Sequence, residues 1–79
     1  MNKQLEKLQS NEANTVTVDN KTYQLTNEEI KCGDYVYNEF AKDIDRCIEI
    51  FSDGTMCVQF KNGMTAVLST KHYRVAIPQ

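Results

Sequence analysis

The run RCIEIFSDGTMCVQFKNGMTAVL, Arg46 to Leu68, sets the architecture. Three short segments rich in apolar and β-branched residues, Arg46–Phe51, Thr55–Phe60 and Met64–Leu68, are separated by Asp53-Gly54 and Asn62-Gly63. Such dipeptides between alternating segments are strong hairpin signals. A two-residue loop at Asp53-Gly54 would pair Ser52 with Thr55 and put Cys47 and Glu49 on the face of Val58 and Phe60. A three-residue loop, Ser52-Asp53-Gly54, pairs Phe51 with Thr55 instead. Ile48, Ile50, Met56, Val58 and Phe60 then share one face, and Cys47, Glu49, Cys57 and Gln59 the other. A one-residue slip turns every side chain over, so burial selects the second register. Gly54 takes the left-handed position of the turn, which a side chain would strain. Lys61-Asn62-Gly63 reads alike and aligns Met64, Ala66 and Leu68 with Phe60, Val58 and Met56. In this register Cys47 and Cys57 stand diagonally on the outer face, too far apart for a disulfide, and both are expected to be free.

Tyr35–Phe40 is a further strand before this run, with Asp43-Ile44-Asp45 in a solvated loop behind it. Tyr73–Ile77 is the last strand, after the polar break Ser69-Thr70-Lys71-His72. Thr15–Val18 and Lys21–Leu25 flank Asp19-Asn20 as an N-terminal hairpin, with Val16, Val18, Tyr23 and Leu25 as its apolar side chains. Thr26-Asn27-Glu28-Glu29 has capping-box spacing and predicts one helical turn ending near Gly33. Leu5 and Leu8, three apart, predict a short helix over Lys3–Gln9. It is too short to stand alone, so it is expected to dock on the rest of the chain or on a second copy.

Five strands with tight turns between the middle three and a break before the last resemble an SH3-like barrel, most closely of the Tudor type. The matching residues are Gly33-Asp34, Asp53-Gly54, Val58, Phe60 and Asn62-Gly63. The resemblance implies a mainly β fold: a five-stranded barrel over residues 30–79, preceded by an extension over residues 1–29 that carries the hairpin, the capping turn and the short helix. Tudor modules hold methylated cations in an aromatic cage. The resemblance places Phe40 and Phe60 on two cage positions, while Ile44 or Asp45 and Lys61–Gly63 occupy the others without an aromatic ring. The chain also looks like short bacteriophage and mobile-element proteins, which often open a small barrel with Gly-Asp-aromatic-Val, here Gly33-Asp34-Tyr35-Val36.

Bulk numbers narrow the function classes. Seventy-nine residues make one small domain with little to spare for a deep enzyme pocket. The net charge is −2, whereas nucleic-acid binders are usually basic. Residues 28–45 carry six acids and two bases, residues 46–79 four bases and two acids. No apolar run approaches the ~20 residues of a membrane span. Met1 to Asn14 is polar and has no signal-peptide centre, and the cysteine count is odd. A cytoplasmic protein with reduced thiols is expected.

No reaction motif emerges. His72, the single histidine, has no positioned nucleophile and orienter, and reads as a surface residue in a turn. Cys32, Cys47, Cys57 and His72 lack the close pairs of a zinc site. Asp43-Ile44-Asp45 lacks the Gly and terminal Glu of a calcium loop. No catalytic residue, metal or cofactor is expected. The reading is a non-catalytic binding module for a protein partner with a basic surface, a role that suits a phage-type accessory or inhibitor protein. Its candidate binding residues are Tyr37, Phe40, Phe51, Asp43, Asp45, Tyr73 and Arg74. An exposed cluster of Tyr37, Phe40 and Phe51 would form the contact; cover by the N-terminal hairpin or helix is the alternative. A homo-oligomer through an exposed strand edge belongs to the same class. The alternative function is nucleic-acid binding, with Lys71, Tyr73 and Arg74 supplying charge and stacking.

Overall fold

The computed structural model describes residues 14–79, so the helix expected over Lys3–Gln9 lies outside the described residues. Seven strands follow in chain order: β1 (Thr15–Val18), β2 (Lys21–Thr26), β3 (Tyr35–Asn38), β4 (Asp43–Ile50), β5 (Thr55–Gln59), β6 (Thr65–Ser69) and β7 (Tyr73–Pro78). A 3₁₀ turn at Thr70–His72 fills the polar break before β7. All ladders are antiparallel. They join into one sheet of order β1-β2-β7-β3-β4-β5-β6. The chain is therefore mainly β, and the hydrogen-bonded sheet is open, with β1 and β6 as its edges.

The turns are formed by the residues that signalled them. Asp19 and Asn20 both take positive φ, 53° and 67°, which gives the two-residue hairpin a twist matching its strands. β2 then pairs with β7, so the hairpin extends the sheet. Both three-residue loops are present: the Phe51 N–H donates to the Thr55 carbonyl, and that of Phe60 to the Met64 carbonyl. Gly54 and Gly63 sit at φ 87° and 88°, the left-handed positions these loops require.

The structure corrects four local expectations. First, β4 carries a bulge: Ile50 pairs with Met56 and Glu49 with Cys57, but Cys47 pairs with Val58. The extra residue is Ile48, and it turns outward while the Cys47 thiol enters the core. Cys47 is held there by its backbone, which accepts from the Gly33 N–H and donates to the Asp34 carbonyl. A bulge absorbs the one-residue offset between this β3-side pairing and the loop-set register on β5. All three cysteines are free, as expected, but Cys47 and Cys57 do not share the outer face.

Second, β3 ends at Asn38 and β4 begins at Asp43, so Asp43-Ile44-Asp45 is strand and not a solvated loop. The Asn38 side-chain oxygen accepts from the N–H groups of Phe40 and Ala41, and Lys42 takes φ 57°, closing a four-residue loop. Third, Thr26–Glu29 forms no helical turn. Thr26 is kept extended by pairing with Val75, and its hydroxyl accepts from the Glu28 N–H two residues on. That local bond competes with helix initiation. Fourth, Phe51 is half-buried, not simply outward.

Strand alternation places the apolar residues in two clusters on opposite faces. Val36, Cys47, Met56, Val58 and Tyr73 form the first, with Ile30, Phe60 and Leu68 packed against it. Tyr23, Leu25, Ile44 and Ala76 form the second, joined by Val16, Val18 and Tyr37. The hairpin thus buries its apolar side chains against the reverse face of β3, β4 and β7.

Candidate binding surface

Polar side chains near the start of β4 are spent on one another. Asp45 is buried, 5% exposed, and accepts a 2.9 Å hydrogen bond from the Tyr73 hydroxyl. Asn38 Nδ2 donates to that same hydroxyl at 3.1 Å. Burial is the main cause raising the Asp45 pKa, partly countered by the Tyr73 bond. Burial, reinforced by Asp45, pushes the Tyr73 phenol up to about 12. Lys61 from the β5–β6 loop bridges Asp19 of the hairpin turn and Asp43, the latter at 2.9 Å. Those two bonds raise the Lys61 pKa. A neutral phenol donating to a buried carboxylate is a device for holding β3, β4 and β7 together.

Beyond the far end of β4 lies a groove of about 740 Å³, within the usual size of a ligand site. One wall is the segment from Thr26 to Ile30; the other is Ile50, Phe51, Ser52 and Gly54. Thr70, Tyr73 and Arg74 close it. The Thr70 N–H and hydroxyl both donate to the Gly54 carbonyl at 3.1 Å, fixing the 3₁₀ turn to the β4–β5 loop. Ile30, Ile50 and Phe51 give the groove an apolar surface. Glu28 and Glu29 are exposed on its rim and join no ion pair among the described residues.

A smaller cleft, about 270 Å³, opens between the hairpin turn and β4–β5. Tyr35 meets Tyr23 edge-on there at 6.5 Å and lies 5.6 Å beneath the Arg46 guanidinium. Lys21 and Phe60 also line it. Phe40 does not. It is 77% exposed and packs edge-on against His72 at 5.0 Å. The two aromatics placed on Tudor cage positions therefore have different surroundings.

The seven expected binding residues are divided by the structure. Asp43, Asp45 and Tyr73 belong to the internally satisfied polar set. Tyr37 is half-buried and packs against the second apolar cluster beside the hairpin residues. Phe40 stands alone on the surface against His72. Phe51 and Arg74 line the groove, and Tyr73, whose hydroxyl is taken by Asp45, lines it as well. Arg74 also donates to Asn14 Oδ1 at 2.7 Å and lies 3.6 Å from Glu39, while its Nε is buried without a partner among the described residues. The Tyr73 ring is buried and offers no face for stacking a base.

Sequence reasoning gives Glu28, Glu29 and Ile50 structural roles and assigns neither them nor Ile30 to binding. The sequence carries only separate signals, Phe51 beside the Asp53-Gly54 turn and the adjacent Glu28-Glu29 far upstream, and the fold brings them to one groove. Among the described residues no group of three or more His, Cys, Asp or Glu could hold a metal ion. No helix among them is long and apolar enough to cross a membrane. Compared with protein-family models, curated proteins and solved structures, the chain matches none of them.

Proposed function

We propose that this chain is a small non-catalytic binding module whose groove receives an extended segment of a protein partner. The observation that carries this reading is exposed Ile50 and half-buried Phe51 standing across one groove from Glu28 and Glu29, whose carboxylates join no ion pair among the described residues. A segment with an apolar side chain beside a Lys or Arg complements it. The apolar contact supplies affinity, and the carboxylates orient the segment and speed its arrival. The strand order β7-β3-β4-β5-β6, with a 3₁₀ turn before β7, supports reading these five strands as an SH3-like unit.

Panning a displayed random-peptide library on the immobilised protein tests this. Enrichment of peptides pairing a basic with an apolar residue is expected. Phe51→Ala should weaken the best peptide by roughly tenfold, about 1.4 kcal/mol. Glu28→Gln with Glu29→Gln should weaken it most at low salt. No enrichment, or peptides indifferent to all three substitutions, contradicts the reading.

Nucleic-acid binding is the second reading, favoured by one observation. Arg46 lies over the Tyr35 ring in the smaller cleft, which Lys21 also lines, combining cations with an aromatic face. Affinity for a single-stranded oligonucleotide that falls steeply with salt and is lost in Arg46→Ala would support it.

A further inference from the structure

The β6 edge of the sheet has no neighbour among the described residues. In an antiparallel ladder, residues alternate between pairs that exchange both hydrogen bonds and pairs that exchange none. The bond from the Phe60 N–H to the Met64 carbonyl fixes that alternation. Val58–Ala66 and Met56–Leu68 are bonded pairs, so the N–H and C=O groups of Thr65 and Val67 point to the open edge, with the Ser69 N–H.

Natural edges are usually blunted by a Lys, a Pro, a bulge or a covering segment. β6 reads Thr-Ala-Val-Leu-Ser, with no charge or proline and a continuous register on β5. Val67 is 59% exposed, and Met64 just before it 65%. From this geometry we infer that β6 pairs antiparallel with β6 of a second copy about a two-fold axis at Val67.

The strand is self-complementary in that register. Val67 exchanges both backbone bonds with its symmetry mate, and Thr65 lies opposite Ser69. Ala66 meets Leu68 on the face that continues the first apolar cluster, where Leu68 already packs. No like charges oppose each other: the strands are uncharged, and Lys71 falls opposite Gly63. A different strand would have to match this pattern, whereas a second copy does so by symmetry. Five residues a side, with Val67, Ala66 and Leu68 as the apolar contribution, form a small interface, so the dimer belongs at the weak end of the range.

Sedimentation velocity of the full chain from low to high micromolar concentration tests the inference. The native protein should pass from monomer to dimer and stop there. Val67→Lys and Val67→Glu place like charges across the axis and should each raise the dimer dissociation constant by on the order of tenfold or more. Mixing the two variants at equal concentration should restore dimers, because the axis then carries opposite charges. Circular dichroism of each variant should match the native spectrum, since Val67 is a surface side chain. A native protein that stays monomeric throughout overturns the inference, as does a mixture no more dimeric than either variant alone. Growth past the dimer also overturns it, because β6 pairing with the β1 edge of the next copy would not close.

Discussion

The two ends of β4 differ in how their polar groups are used. At its start, Asp45, Tyr73 and Asn38 form one chain of hydrogen bonds, and Asp43, Lys61 and Asp19 form one ionic group. At its end, Ile50 and Phe51 face a groove rimmed by carboxylates that pair with nothing described. Residue chemistry alone favours the first end as a site, since it gathers acids, a tyrosine and an asparagine. Geometry reverses that choice. Groups that satisfy one another have little left for a ligand, while groups held in the open without partners do.

The largest effect should come from beneath the groove. Met56 is fully buried and pairs with Ile50, so its truncation removes packing under the groove. Met56→Ala should cost about 2–5 kcal/mol in denaturant unfolding. A loss under 1 kcal/mol would mean that the groove lacks a packed floor and that the two ends differ in more than their surfaces.

Tyr73→Phe comes next. It strands the buried Asp45 carboxylate without its donor and should cost about 1–3 kcal/mol. Peptide affinity at the groove should stay within about twofold, because the hydroxyl points into the Asp45 pair and not the groove. Equal losses in stability and binding would erase the distinction between the ends.

The smallest effect is a pH dependence at the first end. Burial raises the Asp45 pKa above its unfolded value. Its contribution to stability is therefore full below the unfolded carboxylate range and declines as pH rises through the folded-state pKa. Asp45→Asn keeps an acceptor for the Tyr73 hydroxyl and removes that decline. Thermal midpoints of the variant should gain on the native protein from acidic to neutral pH; a difference constant with pH would contradict the buried-carboxylate account.

Turn chemistry was the legible part of this fold. Asp19-Asn20, Asp53-Gly54 and Asn62-Gly63 each need left-handed backbone, so loop length and register follow from local sterics and facial burial. The bulge at Ile48 was not legible, because Cys47-Ile48-Glu49-Ile50 alternates without a break and Cys47 is turned inward by backbone bonds to the distant Gly33 and Asp34. Asp45 was misread for a related reason: an aspartate enters a core only with a partner, and Tyr73 is 28 residues away. The groove is built from three separated segments, and of its lining residues only Phe51, Tyr73 and Arg74 are expected from the sequence.

The central claim is that binding occurs at the Ile50 end. The most direct measurement is a chemical-shift titration of the isotope-labelled protein with the most enriched peptide from the display selection. Shifts should concentrate at Glu28, Glu29, Ile50, Phe51 and Thr70, leaving Asp19, Asp43 and Lys61 unmoved. Shifts centred on Asp43 and Lys61, or on Lys21 and Arg46, would contradict it.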